Sequence, residues 1–394
     1  MDFDMFREEA VKLSRAGRES NPLYKRYFIG LDDMEGQPAL HEEKVGDGKI
    51  ESLPLENFEI VISDGNLVHN GTAYASEREI ERMGGDFYDV MHSMAKGSRA
   101  AAMISATAMK VIEIVIPDGE KSCLRVLFEG ESERSSAIVI FNLGRKSAVE
   151  IFESHRQRGR GVGGIMQRFI AGEGAGCEVN IARESGDAAG AISLIDCQIG
   201  NGGKVDLNIV HTGGSKSISR NTIRAVGKGA KASVNEIVIG EGSEKFDIYT
   251  YMENVGEGTA CTADGRAVLS AGSRCYLKGF AMVSKGATES KSHISERGIL
   301  VGNGSHVDII PEMSINDGNV DATHYGLSMP ISEEALFYTM SRGLKDNEAG
   351  RLVAEGQLAG LVDRIKNRES RENINRLVAE KIGSAMRDWS KTKG

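Results

Sequence analysis

The sequence contains little proline, few aromatic residues and no long apolar run. Prolines number 6 against 48 glycines, and aromatic residues make up 6% of the chain. The glycines are therefore expected to be turn residues of a regular architecture and not part of a disordered Pro/Gly tract. No apolar run approaches the roughly 18 residues of a membrane-spanning helix, and the segment Met1-Asp2-Phe3-Asp4 has no signal-peptide character. These absences predict a cytoplasmic protein without membrane insertion.

The cysteines are too few and too widely spaced for a disulfide framework. Their number is odd and no two of them form a C-x-x-C pair, which argues against disulfides, a structural zinc site and a preformed ferredoxin-type centre. The five are Cys123, Cys177, Cys197, Cys261 and Cys275. We expect them to be small core residues.

Signatures of common enzymes are also missing. The sequence has no Walker A, H-E-x-x-H or G-x-S-x-G motif, and its net charge of −9 offers no basic field for nucleic acid. The G-x-G-x-x-G match at 159–164 follows polar residues and not a buried strand, so it is interpreted as a loop and not as a dinucleotide site. The basic segment 363–393 is interpreted as a solvated helical face or as a docking surface for a partner.

Paired glycines recur with a nearly constant spacing. The second glycines of four such turns are Gly174, Gly202, Gly229 and Gly258, which are separated by about 28 residues, and each is followed by a β-rich run. The same beat extends back to Gly144 and forward to Gly286, and a half-phase series contains Gly186, Gly214, Gly242 and Gly272. A self-similar period of this length predicts a solenoid. The alternative, a β-sandwich with glycine turns, gives no reason for the beat.

The chain therefore divides into three predicted segments, and the predicted fold is mainly β. Residues 1–110 form an N-terminal helical and loop region, residues 111–330 form a parallel β-helix (β-solenoid) core, and residues 331–394 form a C-terminal α-helical domain. The last prediction rests on an N-cap signature at Ser332 and on apolar residues at helical spacing further along the chain.

Four short stretches resemble the SufB/SufD family of iron–sulfur cluster assembly proteins. The first runs from Ser284-Lys285-Gly286-Ala287 to Ser292-His293, and the second from Gly302-Asn303-Gly304 to Pro311. The third is Asp321-Ala322-Thr323-His324, and the fourth is Leu336-Phe337-Tyr338 with Ser341-Arg342-Gly343. Together they cover about 280–345, and the β-helix with a helical tail agrees with the family layout.

The resemblance implies a non-enzymatic scaffold of a SUF-type complex. Family members pair through their β-helix ends, which here implies a SufB-like partner or a second copy of this chain. They also bind a SufC-like ABC ATPase through C-terminal helices, and the ATPase activity belongs to that partner. The resemblance assigns ATPase binding to Leu336, Phe337, Tyr338, Arg342 and Gly343.

The resemblance also implies where a cluster would form. His324 is the candidate residue of the cluster-assembly interface and the candidate metal ligand, because SufD contributes a histidine at this position. Ser305 stands where SufB has a functional cysteine, and Tyr325 stands where SufB has an acidic residue, so the chain resembles SufD more than SufB, with a generic archaeal-type SufB/SufD homologue as the alternative. The iron–sulfur cluster is expected to be transient and shared with a partner, and not tightly bound by this chain alone.

Two alternatives stay open at this stage. His324 could be a buried structural histidine instead of a ligand. The chain could also be a cytosolic β-helix enzyme acting on carbohydrate or acyl groups, which a cluster of Asp, Arg or His in one lateral groove would favour.

Overall fold

The computed structural model describes residues 2–15, 57–85, 87, 88, 91, 98–132, 134–158, 161–186 and 189–392. The protein is mainly β, with 52% strand and 22% helix, and its strands form a parallel β-solenoid of about eight turns. This confirms the fold predicted from the glycine beat. The predicted loop at 159–164 is in part the start of a strand, and residues 159 and 160 lie outside the described part of the chain.

Two ten-stranded sheets form the walls of the solenoid. Sheet A contains, in spatial order, β2 (Asn66–Asn70), β1 (Ile60–Ser63), β5 (Lys121–Gly130), β7 (Ala148–Gln157), β9 (Gly176–Ser185), β11 (Lys204–Gly213), β13 (Lys231–Gly240), β15 (Ala260–Ser270), β17 (Lys291–Val301) and β20 (Asp321–Pro330). Sheet B contains β18 (His306–Ile309), β16 (Arg274–Val283), β14 (Lys245–Asn254), β12 (Lys216–Ala225), β10 (Gly190–Ile199), β8 (Val162–Ala171), β6 (Arg134–Leu143), β4 (Lys110–Ile116) and β3 (Ala75–Glu79), with β19 (Glu312–Ile315) also on β16.

Consecutive strands from β4 to β18 alternate between the two sheets, so each pairs in parallel with the strand two places away in the chain. At the ends of the solenoid, β1 pairs with β5, β16 also pairs with β19, and β17 pairs with β20. Antiparallel pairing within the described residues is confined to β1 with β2 and β3 with β4. Both pairs lie at the N-terminal end: β1, β2 and β3 precede the core predicted from 111, whereas β4 falls at its predicted start. The solenoid therefore begins before the predicted repeat at 111.

The glycine turns have two distinct geometries. Gly174, Gly202, Gly229 and Gly258 all have positive φ, between +61° and +67°, where glycine is the least strained residue. The glycine two residues earlier serves close approach instead: a Cβ on Gly227 would lie 2.0 Å from the backbone nitrogen of Asn201 in the preceding coil. In the half-phase series, Gly214, Gly242 and Gly272 have positive φ, whereas Gly186 does not. The forward extension of the series to Gly286 is wrong by three residues: Ala260 pairs with Lys291, so the residue equivalent to Gly258 is Glu289, which has φ +59°.

The backward extension of the beat to Gly144 is wrong by two residues. Ala148 pairs with Gly176, so the residue equivalent to Gly174 is Lys146 and the residue equivalent to Gly144 is Gly172. Lys146 has φ +56° and takes the left-handed conformation without being glycine. The spacing of the coils stays at 28 residues here, and only the residue type at the turn changes.

In the described part of the chain, five α-helices flank the solenoid: α1 (Phe3–Arg15), α2 (Arg99–Thr107), α3 (Glu333–Ser341), α4 (Asp346–Val362) and α5 (Arg368–Thr392). The outer face of sheet B near its N-terminal end packs against α2 in a cluster that contains Ile104, Ile138 and Met166. The outer face of sheet A packs against α4 and α5 in a second cluster, with Leu358 and Trp389. The predicted cap is confirmed, since the Ser332 side chain accepts a hydrogen bond from the Ala335 amide at 3.2 Å.

The segment between α4 and α5 is tied to sheet A by charge. Lys366 Nζ lies 2.8 Å from a carboxylate oxygen of Asp206 and 3.1 Å from one of Glu178. Arg364 contacts Asp264 at 2.8 Å and also donates to Asn235. These contacts meet a row of stacked amides on the same face, in which Asn235 donates to Asn208 and Asn208 donates to Asn180, each at 2.8 Å.

Candidate functional site

Strand β20 forms an open edge at the C-terminal end of sheet A. It pairs with β17 on one side, and no strand lies on its other side among the residues that the structure describes. It has ten residues, most of them exposed. Ten residues of a sheet edge present a row of unpaired backbone N–H and C=O groups, which is a template for pairing with another chain.

His324 lies in the middle of β20 and faces the end of the solenoid interior. It is paired in register with Ile294, whose side chain is part of the hydrophobic core. Alternation along a strand therefore puts His324 in the inward row, but it is exposed because no further coil covers it. His324 is thus not the buried structural histidine that was the alternative.

Other polar groups lie at this end of the solenoid, where Thr323 and Tyr325 alternate with His324 along β20 and therefore face the opposite side of the sheet. His293 shares a hydrogen bond of 2.7 Å with Thr323, which lies next to His324 on β20. Tyr325 is 46% exposed, and the guanidinium of Arg297 lies 5.5 Å from its ring centre. Ser305, which precedes β18, is partly exposed. In the described part of the chain, no three His, Cys, Asp or Glu side chains are grouped so that they could hold a metal ion.

Glu296 is a buried carboxyl group that the sequence did not single out. It lies one coil below the open edge, in register with Gly326 of β20, and it is 3% exposed. Its Oε2 atom has no hydrogen-bond partner among the described residues. Burial, and then the nearby charge of Glu236, raise the pKa of Glu296 well above its usual value. The sequence alone does not mark Glu296 as unusual, because glutamate also occurs at exposed positions of β-strands. Only the pairing register shows that Gly326 lies above it.

Helix α3 carries the second set of predicted residues. Phe337 is 74% and Tyr338 58% exposed, and Arg342 donates to the Tyr338 hydroxyl at 2.8 Å while its guanidinium stacks over the ring. Leu336, in contrast, is buried in the cluster beneath α4 and α5. Gly343 has φ +93° and makes the turn after the helix. Three of the five residues therefore face outward, and the other two shape the surface.

The cysteines show no reactive arrangement in the structure. All five are free thiols, and Cys123 is exposed while the other four are buried. Burial raises the pKa of the Cys261 thiol to about 12, and burial also raises the pKa of Cys177, Cys197 and Cys275. The four buried cysteines match the prediction of small core residues, whereas Cys123 does not.

The fold and the open end define a class: a parallel β-solenoid with one unpaired sheet edge and a helical flank. Residues 127–357, more than half of the chain, match the family model described as the SufBD core domain of the SUF system for FeS cluster assembly. The chain belongs to the SufBD family. Membership indicates a role in iron–sulfur cluster assembly.

Curated relatives agree with this family. The chain is 28% identical over 160 residues to a SufBD-family iron–sulfur cluster assembly protein of Mycobacterium tuberculosis, which covers 41% of this chain and 19% of that protein. It is 23% identical over 166 residues to the iron–sulfur cluster assembly protein SufD of Bacillus subtilis, covering 42% of this chain and 38% of SufD. The matched stretches thus span well under half the length of these relatives. Among the helices of the described residues, none is both long and apolar enough to cross a bilayer.

Proposed function

We propose that this chain is a scaffold subunit of a SUF-type complex in which a nascent iron–sulfur cluster is assembled between two subunits. The observation that carries the proposal is His324 at the open end of the solenoid. Neutral imidazole is a good ligand for iron, yet His324 has no group of co-ligands among the described residues. A second subunit that pairs with the β20 edge would supply these co-ligands. The cluster would then be bound transiently at the interface between the two subunits.

The partner at this edge is a SufB-like subunit or a second copy of the chain. Support comes from the contrast between the two ends of sheet A. The N-terminal end finishes in β2, a five-residue strand folded back on β1, whereas β20 offers ten residues in parallel pairing with the solenoid. The longer edge with one free side is the better template for another strand.

The second contact in the proposal is with a SufC-like ABC ATPase, through the outward face of α3. Phe337 and Tyr338 are large aromatic side chains exposed side by side, and exposed aromatic residues beside an arginine are typical of interface centres. The sequence has no Walker A motif, so the proposal assigns the ATPase activity to the partner. The chain itself acts as a non-enzymatic scaffold.

The rival proposal, a β-helix enzyme, finds little support in the lateral groove of sheet A. The groove contains Glu178 and Asp206 beside Lys366. Glycoside hydrolysis needs one carboxyl group free to donate a proton and another free to act as base or nucleophile. Here both carboxylates contact Lys366, and Asp206 contacts Lys204 as well.

A native pull-down tests the proposal. The tagged full-length chain is purified from the native lysate, its partners are identified by mass spectrometry, and iron and sulfide are measured in the complex. A Ser328→Lys variant puts a charge on the β20 edge, which should block strand pairing. We expect it to lose the second subunit but retain the ATPase.

Val68→Lys is the matched control, because Val68 is exposed on β2 at the opposite end of sheet A. It should retain both partners. Recovery of the wild-type chain without an ABC ATPase and without a second SufBD-family subunit or copy would overturn the proposal.

A further inference from the structure

A small cavity lies inside the solenoid, at the corner where the strands of sheet A end and those of sheet B begin. Its volume is about 50 Å³, and it is lined by His155, Gln157, Arg183 and Ser193 among others. All four side chains are more than 90% buried. The cavity is several coils away from β20 and from α3, so it belongs to neither surface described above.

The cavity is lined by hydrogen-bond donors that have no partner. Arg183 uses Nη1 to donate to the Ser219 hydroxyl at 2.9 Å, while its Nε and Nη2 atoms have none among the described residues. The same holds for Gln157 Nε2 and for the Ser193 hydroxyl. A water molecule accepts about two hydrogen bonds, so a group of donors of this size favours an anion as the ligand.

Two glycines hold Gln157 in this position. A Cβ on Gly130 would overlap the amide oxygen of Gln157, and so would a Cβ on Gly163. Both glycines line the cavity. The side chain of Gln157 thus occupies space that exists only because both neighbours lack a side chain, and its orphaned nitrogen remains beside Arg183.

Arg183 has no carboxylate in contact. Its neighbours in register are His155 and His211, and burial lowers the pKa of both imidazoles, so they are neutral near pH 7. The nearest acids, Glu153 and Glu236, are engaged elsewhere: Glu153 accepts from Gln167 and contacts His155, and Glu236 accepts from Asn221 and Thr250. No ion pair within 4.0 Å joins Arg183 to any acid in the described residues.

A buried guanidinium without a contacting anion is costly, because it loses the hydration of its charge. Burial lowers the pKa of Arg183 to about 10 in spite of the two carboxylates nearby, which leaves the group charged near pH 7. Glu129 also lines the cavity, but its carboxylate is paired with Arg158. Arg156, a further lining residue, lies over the ring of Phe58. The cavity therefore keeps a net positive character.

We propose that this cavity binds one small monovalent anion of halide size, with Arg183 as its counter-ion and Gln157 as a neutral donor. The volume decides the class of ligand. An engineered cavity of about 150 Å³ holds one benzene molecule. The present cavity, at about 50 Å³, has roughly a third of that volume, so it has room for a chloride ion but not for a phosphate or a carboxylate metabolite with its hydration. The inference is independent of the proposed role in cluster assembly.

The proposal is tested on the full-length protein by the line width of the ³⁵Cl NMR signal, which broadens when chloride exchanges with a protein site. We expect saturable broadening that bromide reverses by competition. Gln157→Met keeps the length of the side chain but removes its donor, so chloride affinity should fall by about tenfold or more, as for one hydrogen bond to a charged partner. Gln198→Met is the matched control, because Gln198 does not line the cavity, and it should bind chloride like the wild type.

A bromide-soaked crystal of the wild-type protein gives a reading that does not depend on any variant folding. An anomalous bromide peak beside the Arg183 guanidinium is the expected result. Water alone at that position, wild-type protein without saturable broadening, or equal affinity in Gln157→Met and wild type would each overturn the proposal.

Discussion

Glu296 lies directly beneath Gly326 at the open end of the solenoid, because the two residues are paired in register between β17 and β20. The last coil thus puts a residue without a side chain over a buried carboxyl group. Across the interior, a Cβ on Gly279 would lie 2.9 Å from Glu296 Oε1. The carboxyl group therefore occupies a space bordered by glycine on two sides, close to the row that ends in His324.

Replacing Glu296 by glutamine should stabilise the protein at neutral pH. The folded state raises the pKa of Glu296, so it binds this proton more tightly than the unfolded chain does. The contribution to stability is complete below the unfolded pKa of about 4.3 and is lost as the pH rises towards the folded value. Glu296→Gln mimics the protonated form, so we expect a higher free energy of unfolding than that of the wild type at pH 7.5 and no difference near pH 4.

The measurement is urea unfolding of both proteins between pH 4 and 8. The exposed Glu173 provides the control, since Glu173→Gln should leave the profile parallel to that of the wild type. A profile for Glu296→Gln that is also parallel to the wild type would show that Glu296 is ionised in the folded protein at neutral pH.

Removing the His324 imidazole should lower cluster loading without unfolding the chain. His324 is exposed, and surface substitutions away from special contacts usually change stability by less than about 0.5 kcal/mol. We expect His324→Ala to co-purify with its partners at wild-type yield but with less iron and sulfide per complex. His69→Ala is the control, since His69 is exposed on β2 at the other end of sheet A. Normal iron per complex in His324→Ala would remove the proposed ligand role.

A charge on the exposed face of α3 should abolish binding of the ATPase. Phe337 is the most exposed large apolar residue of this helix, so Phe337→Glu should disrupt an interface there but not the fold. Leu352→Glu on α4 is matched to it, since Leu352 is 52% exposed, and it should bind normally. Co-purification with the ATPase reads out both variants. Deleting 332–394 should also abolish binding, but it removes the helices that cover the apolar outer face of sheet A, including Val210 and Ile237, so the point variant separates docking from folding.

Lys366 should matter for stability far more than an ordinary surface lysine. Lys366→Met leaves Glu178, which is 5% exposed, without its cation, and we expect a loss of about 1–3 kcal/mol. The comparison is Lys228→Met, which breaks an ion pair with Glu257 in which both side chains are exposed, and which should cost less than about 1 kcal/mol. Thermal and urea unfolding measure both. Equal losses in the two variants would contradict the prediction.

The architecture of the repeat was accessible from the sequence because the physical cause of the beat is local. A turn that needs positive φ selects glycine at Gly174 and its equivalents, and that choice is visible in one sequence. Lys146 shows the limit, since a residue that tolerates the same φ breaks the visible pattern without breaking the coil. The strands β1 to β3 were not predicted because each has only four or five residues and lies outside the period.

The residues of the candidate site could be predicted from the sequence only where they belong to motifs that resemble a known family. His324 and the α3 residues came from short motifs, whereas their exposure came from the structure. Glu296 and Arg183 have no local signature, because what makes each of them unusual is the identity of residues one coil away: Gly326 above the first, and His155 and His211 beside the second. Register across coils is a long-range property that one sequence does not display.

The stacked amides of Asn180, Asn208 and Asn235 have a consequence for how this molecule can change its length. In successive coils, an asparagine side chain donates to the asparagine at the equivalent position of the preceding coil. A coil of this region could therefore make the same hydrogen bond with a copy of itself. Duplicating residues 204–230 in tandem, from the start of β11 to the residue before β13, should insert one complete coil and lengthen the solenoid by about 4.8 Å. Both ends, with β2 at one and His324 at the other, would keep their chemistry and differ only in their separation.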